Sequence, residues 1–426
     1  MTAPPPTTNP WWIPRPLLGR VPQIDQRLIT LLGLVSLAVL FEQYDASMLT
    51  AALKHIAIDL EIDENSLGRF LAVIRLGALP ALLLVPFADR FGRRRVFLAS
   101  VFGFSVGTLV SGFAQSAYQF AAIQMITRVF MTVGTAVAVV IITEEYPALH
   151  RGWAIGMLGA LSAAGQGLGA GLAGFIEVLP FGWRFLYGIG IAPLLLMPHL
   201  RRNITETERF SRHASEHGIA DEPWYAPLRR LVLDYPRRTA LLGLTGMMFA
   251  VGELPVFQFS SYFVQTRHGW STGEYSLMFV LGGTVGILGN VIAGRLGDRI
   301  GRRWVGFISL ALFPIFASTF YHGPGWTLPI SWALFIFCLT AGGVSLRALS
   351  SELFPTSYRS TASAWLSFAT TIGWAIGLLA VGAEKSSDVD IATQISTIAC
   401  AVFVAGLLLL LAPETAGREL EDISDG

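Results

Sequence analysis

Charge is scarce in this chain. Of 426 residues only 14% are Asp, Glu, Lys or Arg, against roughly 25% in an average soluble protein. That shortage argues against a soluble globular protein. With 53% apolar residues, it also excludes intrinsic disorder. The net formal charge is only +1, so nothing points to nucleic acid. Cysteine is scarce too: Cys338 and Cys400 both lie inside apolar runs, which excludes a disulfide framework. There is no HExxH and no metal-spaced set of Cys and His, so neither a zinc hydrolase nor a metal site is expected. Residues Met1 to Pro16 are polar and proline-rich and lack the basic-then-apolar order of a cleaved signal peptide.

What the chain has instead is apolar length. Mean hydropathy is +0.56, and a bilayer core takes about 20 apolar residues per helix. Apolar windows between turn and charge clusters predict twelve spans: 28–53, 66–88, 96–115, 119–142, 152–178, 182–199, 239–265, 275–297, 303–321, 327–350, 359–382 and 391–412. The expected fold class is an all-α membrane protein. Span 5 (Gly156 to Gly174) and span 8 (Gly282 to Gly289) are glycine-rich, as helices in close contact within lipid require.

The distribution of positive charge predicts orientation. Both tails and the 2–3, 4–5, 6–7, 8–9 and 10–11 connections hold 22 of the 30 Lys and Arg residues. The opposite connections hold five, and Arg75, Arg128 and Arg347 fall inside spans. The positive-inside rule then places both termini in the cytoplasm of a multi-pass protein of the inner or plasma membrane. The expected organisation is a cytoplasmic tail 1–27, a six-helix bundle 28–199, a cytoplasmic linker 200–238, a second bundle 239–412 and a cytoplasmic tail 413–426.

An internal repeat supports that division. Asp89-Arg90-Phe91-Gly92-Arg93-Arg94 recurs as Asp298-Arg299-Ile300-Gly301-Arg302-Arg303, an offset of 209. Glu144-Glu145-Tyr146-Pro147, with Arg151 beyond it, recurs as Glu352-Leu353-Phe354-Pro355 with Arg359 beyond it, an offset of 208. Glu206-Thr207 recurs as Glu414-Thr415, again at 208. An even number of spans per copy makes the two units parallel repeats, an arrangement of secondary transporters with a midplane site.

Together these residues resemble the major facilitator superfamily along the whole chain after the N-terminal tail. The loop Asp89–Arg95 and its twin Gly294–Arg303 resemble the family signature between spans 2 and 3 and between spans 8 and 9. Glu352-Leu353-Phe354-Pro355…Arg359 and Pro413-Glu414-Thr415-Ala416-Gly417-Arg418 resemble the sugar-porter and metabolite:proton-symporter branches. Pro86 stands where a glycine is usual in the first signature, and the outer loop between spans 1 and 2 is short. Span 7 reads Gly252-Glu253-Leu254-Pro255-Val256-Phe257-Gln258 rather than the glutamine-rich pattern of sugar porters, so the organic-acid branch fits better. The resemblance implies two bundles rocking around a central cavity. It also implies that Asp89, Arg93, Arg94, Glu144 and Arg151, with Asp298, Arg302, Arg303, Glu352 and Arg359, lock the cytoplasmic faces of the bundles while the site opens outward. The alternative is that most of these arginines only set topology.

Ionisable groups inside a span cost roughly 2.5–3.5 kcal/mol on insertion scales and mark function by default. Glu42 and Asp45 share a face of span 1. By resemblance, Asp45 and Arg128 match an acid in span 1 that lies near an arginine in span 4. Either acid is a candidate proton carrier, and a static ion pair is the alternative. Glu253 stands 208 residues after Asp45, so spans 1 and 7 are each expected to present one acid to the cavity. Alternatively, Glu253 is hydrogen-bonded near a broken turn at Pro255. Arg347 suits an anionic ligand, since guanidinium grips a carboxylate bidentately, or else snorkels to the cytoplasmic surface. Arg75 is expected either to line the outer half of the cavity or to pair with Asp45 or Glu42. Tyr44, Gln166, Gln258, Tyr262 and Asn290 are uncharged candidates for orienting a substrate, and Trp365 and Trp374 for a stacking wall.

The leading expectation is a proton-coupled symporter importing a small organic anion, with protons as the coupling ion, no other cofactor and a monomeric state in lipid. A proton-driven exporter of drugs or metabolites, or a symporter for a neutral sugar-like solute, are the alternatives. The glycine-proline signature of drug antiporters is missing from span 5, which has no proline before Pro180. A membrane enzyme or receptor is disfavoured by the absent metal-ligand motifs and by the repeat.

Overall fold

The structure is a computed structural model and describes residues 24–84, 88, 91–207, 226–355, 358–382 and 390–413. Among the described residues there are helices and no strands. The first half contains α1 (Gln26–Ala51), α2 (Leu53–Asp59), α3 (Glu64–Leu76), α4 (Ala78–Leu84), α5 (Arg93–Ser111), α6 (Ala117–Glu145), α7 (Ala148–Ala173), α8 (Trp183–Gly188) and α9 (Ile191–Asn203). A short helix, α10 (Ala226–Asp234), leads into the second half. There follow α11 (Pro236–Gln258), α12 (Ser260–Arg267), α13 (Thr272–Ile300), α14 (Arg302–His322), α15 (Leu328–Glu352), α16 (Arg359–Ala380) and α17 (Ile391–Leu410).

These elements realise all twelve spans. Ten helices among the described residues are long and apolar enough to cross a bilayer unaided. The other two spans are each split, and proline explains both breaks. Pro80 and Pro193 have no N–H to offer the carbonyls of Leu76 and Ile189 four residues earlier, which is where span 2 breaks into α3 and α4 and span 6 into α8 and α9. Side chains fix several helix starts. Asp25 accepts from the Arg27 amide at 3.0 Å, Ser116 accepts from the Gln119 amide at 3.3 Å, and Ser271 with Glu274 forms a reciprocal capping box.

The duplication read from the sequence recurs in the packing. α1 packs on α7 as α11 packs on α16; α5 on α6 as α14 on α15; α9 on α5 as α17 on α14; and α3 on α6 as α13 on α15. Gly92 and Gly301 begin equivalent helices with φ of 97° and 103°, a backbone state that suits glycine. The glycines of span 5 have a specific task. A Cβ on Gly165 would stand 2.9 Å from the Leu40 carbonyl carbon, and one on Gly169 would stand 3.1 Å from that of Tyr44. Their counterparts 208 residues on, Gly373 and Gly377, would meet Met247 and Val251 in the same way, at 3.1 and 2.9 Å. Bare backbone is what lets these helix pairs touch.

Among the described residues, the contacts between helices of different halves gather toward one end. α3 meets α16, α7 meets α13, and α1 with α2 meets α12. Ser261 Oγ and Gln265 Nε2 donate to the Ala51 carbonyl at 2.8 and 3.3 Å, Lys54 Nζ donates to the Gln265 carbonyl at 3.1 Å, and Ser276 Oγ donates to the Ala170 carbonyl at 2.5 Å. All of these lie at the face opposite the termini. The hydrogen bonds and ion pairs described at the termini face, such as Arg93 with Glu144 and Arg302 with Glu352, each lie within one half. The conformation is therefore sealed on one side and parted on the other.

Candidate functional site

The span-1 carboxylates are buried inside the first half. Asp45 is fully inaccessible; its Oδ1 accepts from Thr108 Oγ1 at 3.0 Å and from Gln124 Nε2 at 3.4 Å, while Oδ2 has no partner. Glu42, one helical turn earlier, accepts a short hydrogen bond from Thr135 on Oε2 and leaves Oε1 unpartnered against Gly134. Arg128 lies within electrostatic reach of both acids and of Tyr187, but it forms no direct ion pair with either. Its Nε and Nη2 and the Tyr187 hydroxyl are buried without hydrogen-bond partners. A buried guanidinium with unsatisfied donors within reach of two buried carboxylates is a costly arrangement. Asp45 therefore points toward spans 3 and 4 and not out into a cavity, which corrects the expectation of a cavity-facing acid. Packing decides this: α1 presses its Tyr44–Ser47 backbone on α7, which leaves residue 45 facing Thr108 and Gln124.

A second polar cluster bridges the halves. Arg75 Nη2 donates to Gln258 Oε1 at 3.3 Å, and its guanidinium lies 5.6 Å from the centre of the Trp374 ring. Trp374 Nε1 in turn donates to Glu253 Oε2 at 2.9 Å. Arg347 is exposed, and its charge acts on Glu253. Arg75 thus pairs with the second half and not with Asp45 or Glu42. Glu253 differs from Asp45 because positions 317 and 332, counterparts of Thr108 and Gln124, are Ala317 and Trp332. Without those two polar partners, the acid accepts instead from Trp374 on α16 of the same half. The helix does not break at Pro255 but runs on to Gln258, and Phe259 separates α11 from α12.

The charged signatures bind within each half. Arg93 pairs with Glu144 at 3.1 Å, and Arg302 pairs with Glu352. Glu206 Oε1 accepts the amides of Arg93 and Arg94 at 2.9 and 3.2 Å. Arg94 donates to the Ile204 and Arg201 carbonyls, and Arg303 donates to those of Leu410 and Ala412. Arg151 reaches only the Tyr146 carbonyl, at 3.5 Å, and Arg359 keeps a buried, unpartnered Nε. The described pairs of these signatures each join residues of one half, so the expected lock between the bundles is not among the described contacts. Asp89 lies outside the described residues, as does the side chain of Asp298.

The remaining candidates divide. Tyr44 is buried and its hydroxyl donates to the Leu186 carbonyl, so it ties span 1 to span 6 and does not face a ligand. Trp365 donates to the Thr239 carbonyl and packs on Gly243, a structural position. Gln166 donates to Gln43 between spans 5 and 1. Tyr262 stands near Glu64 at the sealed face, and Asn290 is half-buried on α13. Thr108, Gln124, Thr135 and Tyr187 were not anticipated. Each is one of several polar residues scattered through the apolar spans, with nothing in the sequence to single it out.

Two parallel six-helix halves, sealed together at one face and enclosing buried charges, define a membrane carrier. The sequence profile of the Major Facilitator Superfamily matches residues 35–377 and 256–423. The chain belongs to that superfamily and is a multi-pass transporter of small molecules, not an enzyme. It is similar to a gallate transporter of Pseudomonas putida (26% identity, covering 91% of this chain and 93% of that one). It is also similar to a putative niacin/nicotinamide transporter of Bacillus subtilis (25% identity, covering 95% and 100%). A crystal structure of a D-xylose-proton symporter superposes with a TM-score of 0.78 over 92% of this chain and 100% of that one, at 19% identity, which establishes the shared fold.

Proposed function

We propose that this transporter imports a small ring carboxylate together with protons, by alternating access between the halves 28–199 and 239–412. The observation that carries the reading is the bridging cluster. Arg75 and Arg347 supply guanidinium groups for a carboxylate, and Trp374 offers an aromatic face beside them. A neutral sugar would leave the half-buried guanidinium of Arg75 and the exposed one of Arg347 without an anion. The similarity to carriers named for gallate and for niacin/nicotinamide supports the same chemistry. Asp45, or Glu42 beside it, carries the proton. Loading neutralises the acid that Arg128 faces, and Arg128 then responds to substrate at Arg75 across the half. Protons are the only coupling ion, and no cofactor takes part. The protein works as a monomer in the cell membrane with both termini cytoplasmic, so the parted face is the inward one.

The test is uptake in proteoliposomes with an inward proton gradient. Gallate or nicotinate is expected to accumulate, D-xylose is not, and Arg347→Ala is expected to weaken accumulation. Accumulation of D-xylose alone, or uptake of the acids unaffected by the gradient, overturns the reading.

A further inference from the structure

The termini face of the first half carries a cleft of about 490 Å³ between the start of α5 and the end of α9. Its wall contains Arg94, Arg95, Arg201 and Arg202 against one carboxylate, Glu206. That carboxylate does not meet the guanidinium groups: its Oε1 is held by the amides of Arg93, Arg94 and Thr207. Arg94 is held too, by the carbonyls of Ile204 and Arg201 at 2.6 Å each. Arg95, Arg201 and Arg202 are left exposed around the opening, beside Phe91, which is 49% exposed.

The other half supplies an internal control. Arg303 reaches the Leu410 carbonyl as Arg94 reaches that of Arg201, which sets the local offset at 209. At that offset Arg95, Arg201 and Arg202 correspond to Trp304, Leu410 and Leu411. The scaffold of the cleft is therefore duplicated and its three free cations are not. Folding of the repeat does not need them. Orientation needs positive charge on this face but not its concentration in one cleft. Three guanidinium groups beside an apolar ring at a helix end match a phosphate oxyanion that carries an acyl chain.

The geometry points to a binding site for the phosphate of an anionic phospholipid headgroup in this cleft, formed by Arg95, Arg201 and Arg202, with Phe91 against the chain. It is separate from the transport site and independent of which substrate is carried. Bound lipid would brace α5 against α9 in the first half alone.

The test uses the purified full-length protein in detergent, with thermal unfolding and native mass spectrometry as readouts. Phosphatidylglycerol is expected to raise the unfolding midpoint and remain bound, whereas phosphatidylcholine is not. The variant R95Q/R201Q/R202Q is expected to lose about a hundredfold in phosphatidylglycerol affinity. R229Q/R237Q/R299Q removes the same charge elsewhere on this face and is expected to keep that affinity. Should the triple variant not fold, Arg95→Gln alone is expected to weaken binding measurably. Equal losses in both triple variants, or no preference for the anionic lipid, overturn the site. Stabilisation by inorganic phosphate that matches phosphatidylglycerol and needs the same arginines overturns the headgroup assignment in favour of a soluble phosphate compound.

Discussion

Gly68 is the position where one added carbon should move the whole carrier. It lies on α3 against the end of α16, in the seal between the halves. A Cβ there would lie 3.2 Å from the Val381 carbonyl carbon and closer still to the carbonyl oxygens of Leu378 and Val381. These are backbone atoms, which cannot rotate away as a side chain would. Overpacking of this kind typically costs about 1–3 kcal/mol. The strain exists only while the face is sealed, since the contact joins different halves. At 1.36 kcal/mol per tenfold, the conformational equilibrium of Gly68→Ala should move about five- to 150-fold toward the state open at that face. The reporter is Ala51→Cys, at a residue fully buried in the seal, in a background where Cys338 and Cys400 are replaced by serine. A membrane-impermeant maleimide added from that face should label the cysteine faster by a similar factor, while the helical content of the protein stays unchanged. Labelling at the wild-type rate would show that the seal is not a moving contact and would refute the reasoning.

Other outcomes follow from the same geometry. Trp374→Phe keeps a ring beneath Arg75 but removes the hydrogen bond to Glu253, and should alter proton dependence with little change in substrate affinity. Trp374→Ala should weaken both in the same uptake assay. If Glu253 carries a second proton, Glu253→Gln should abolish the voltage dependence of uptake, worth about 2.3 kcal/mol per 100 mV for each charge moved; uptake currents unchanged by the substitution would exclude it as a carrier. Glu206→Gln removes the charge that holds the start of α5 and should cost about 1–2 kcal/mol of stability, read as a lowered unfolding midpoint in detergent with substrate affinity retained.

Much of the architecture was legible because its causes are local or periodic. Apolar windows marked the spans, and the offsets of 208 and 209 marked the repeat, now seen also in paired helix contacts and in the matching φ of Gly92 and Gly301. The glycines of span 5 were recognised as packing residues, yet their targets on α1 required the fold. The site was harder to read for a physical reason. A charge inside a span announces that it needs a partner and does not say which neighbour supplies it. Arg75 was weighed against the acids of its own half and found its partners in the other. Tyr44 had the right chemistry on the wrong side of its helix. The paired signatures were expected to bind across the halves, and their described bonds lie within each half.

The most direct measurement of the account is proton entry driven by substrate. Proteoliposomes loaded with a pH-sensitive dye receive a carboxylate that the wild-type protein accumulates, and internal acidification is followed in wild type, in Asp45→Asn and in Glu42→Gln. The account predicts acidification by wild type and none by Asp45→Asn or, if Glu42 is the carrier, by Glu42→Gln, and the inactive variant should still exchange labelled for unlabelled substrate. Acidification at the wild-type rate by both variants would contradict it.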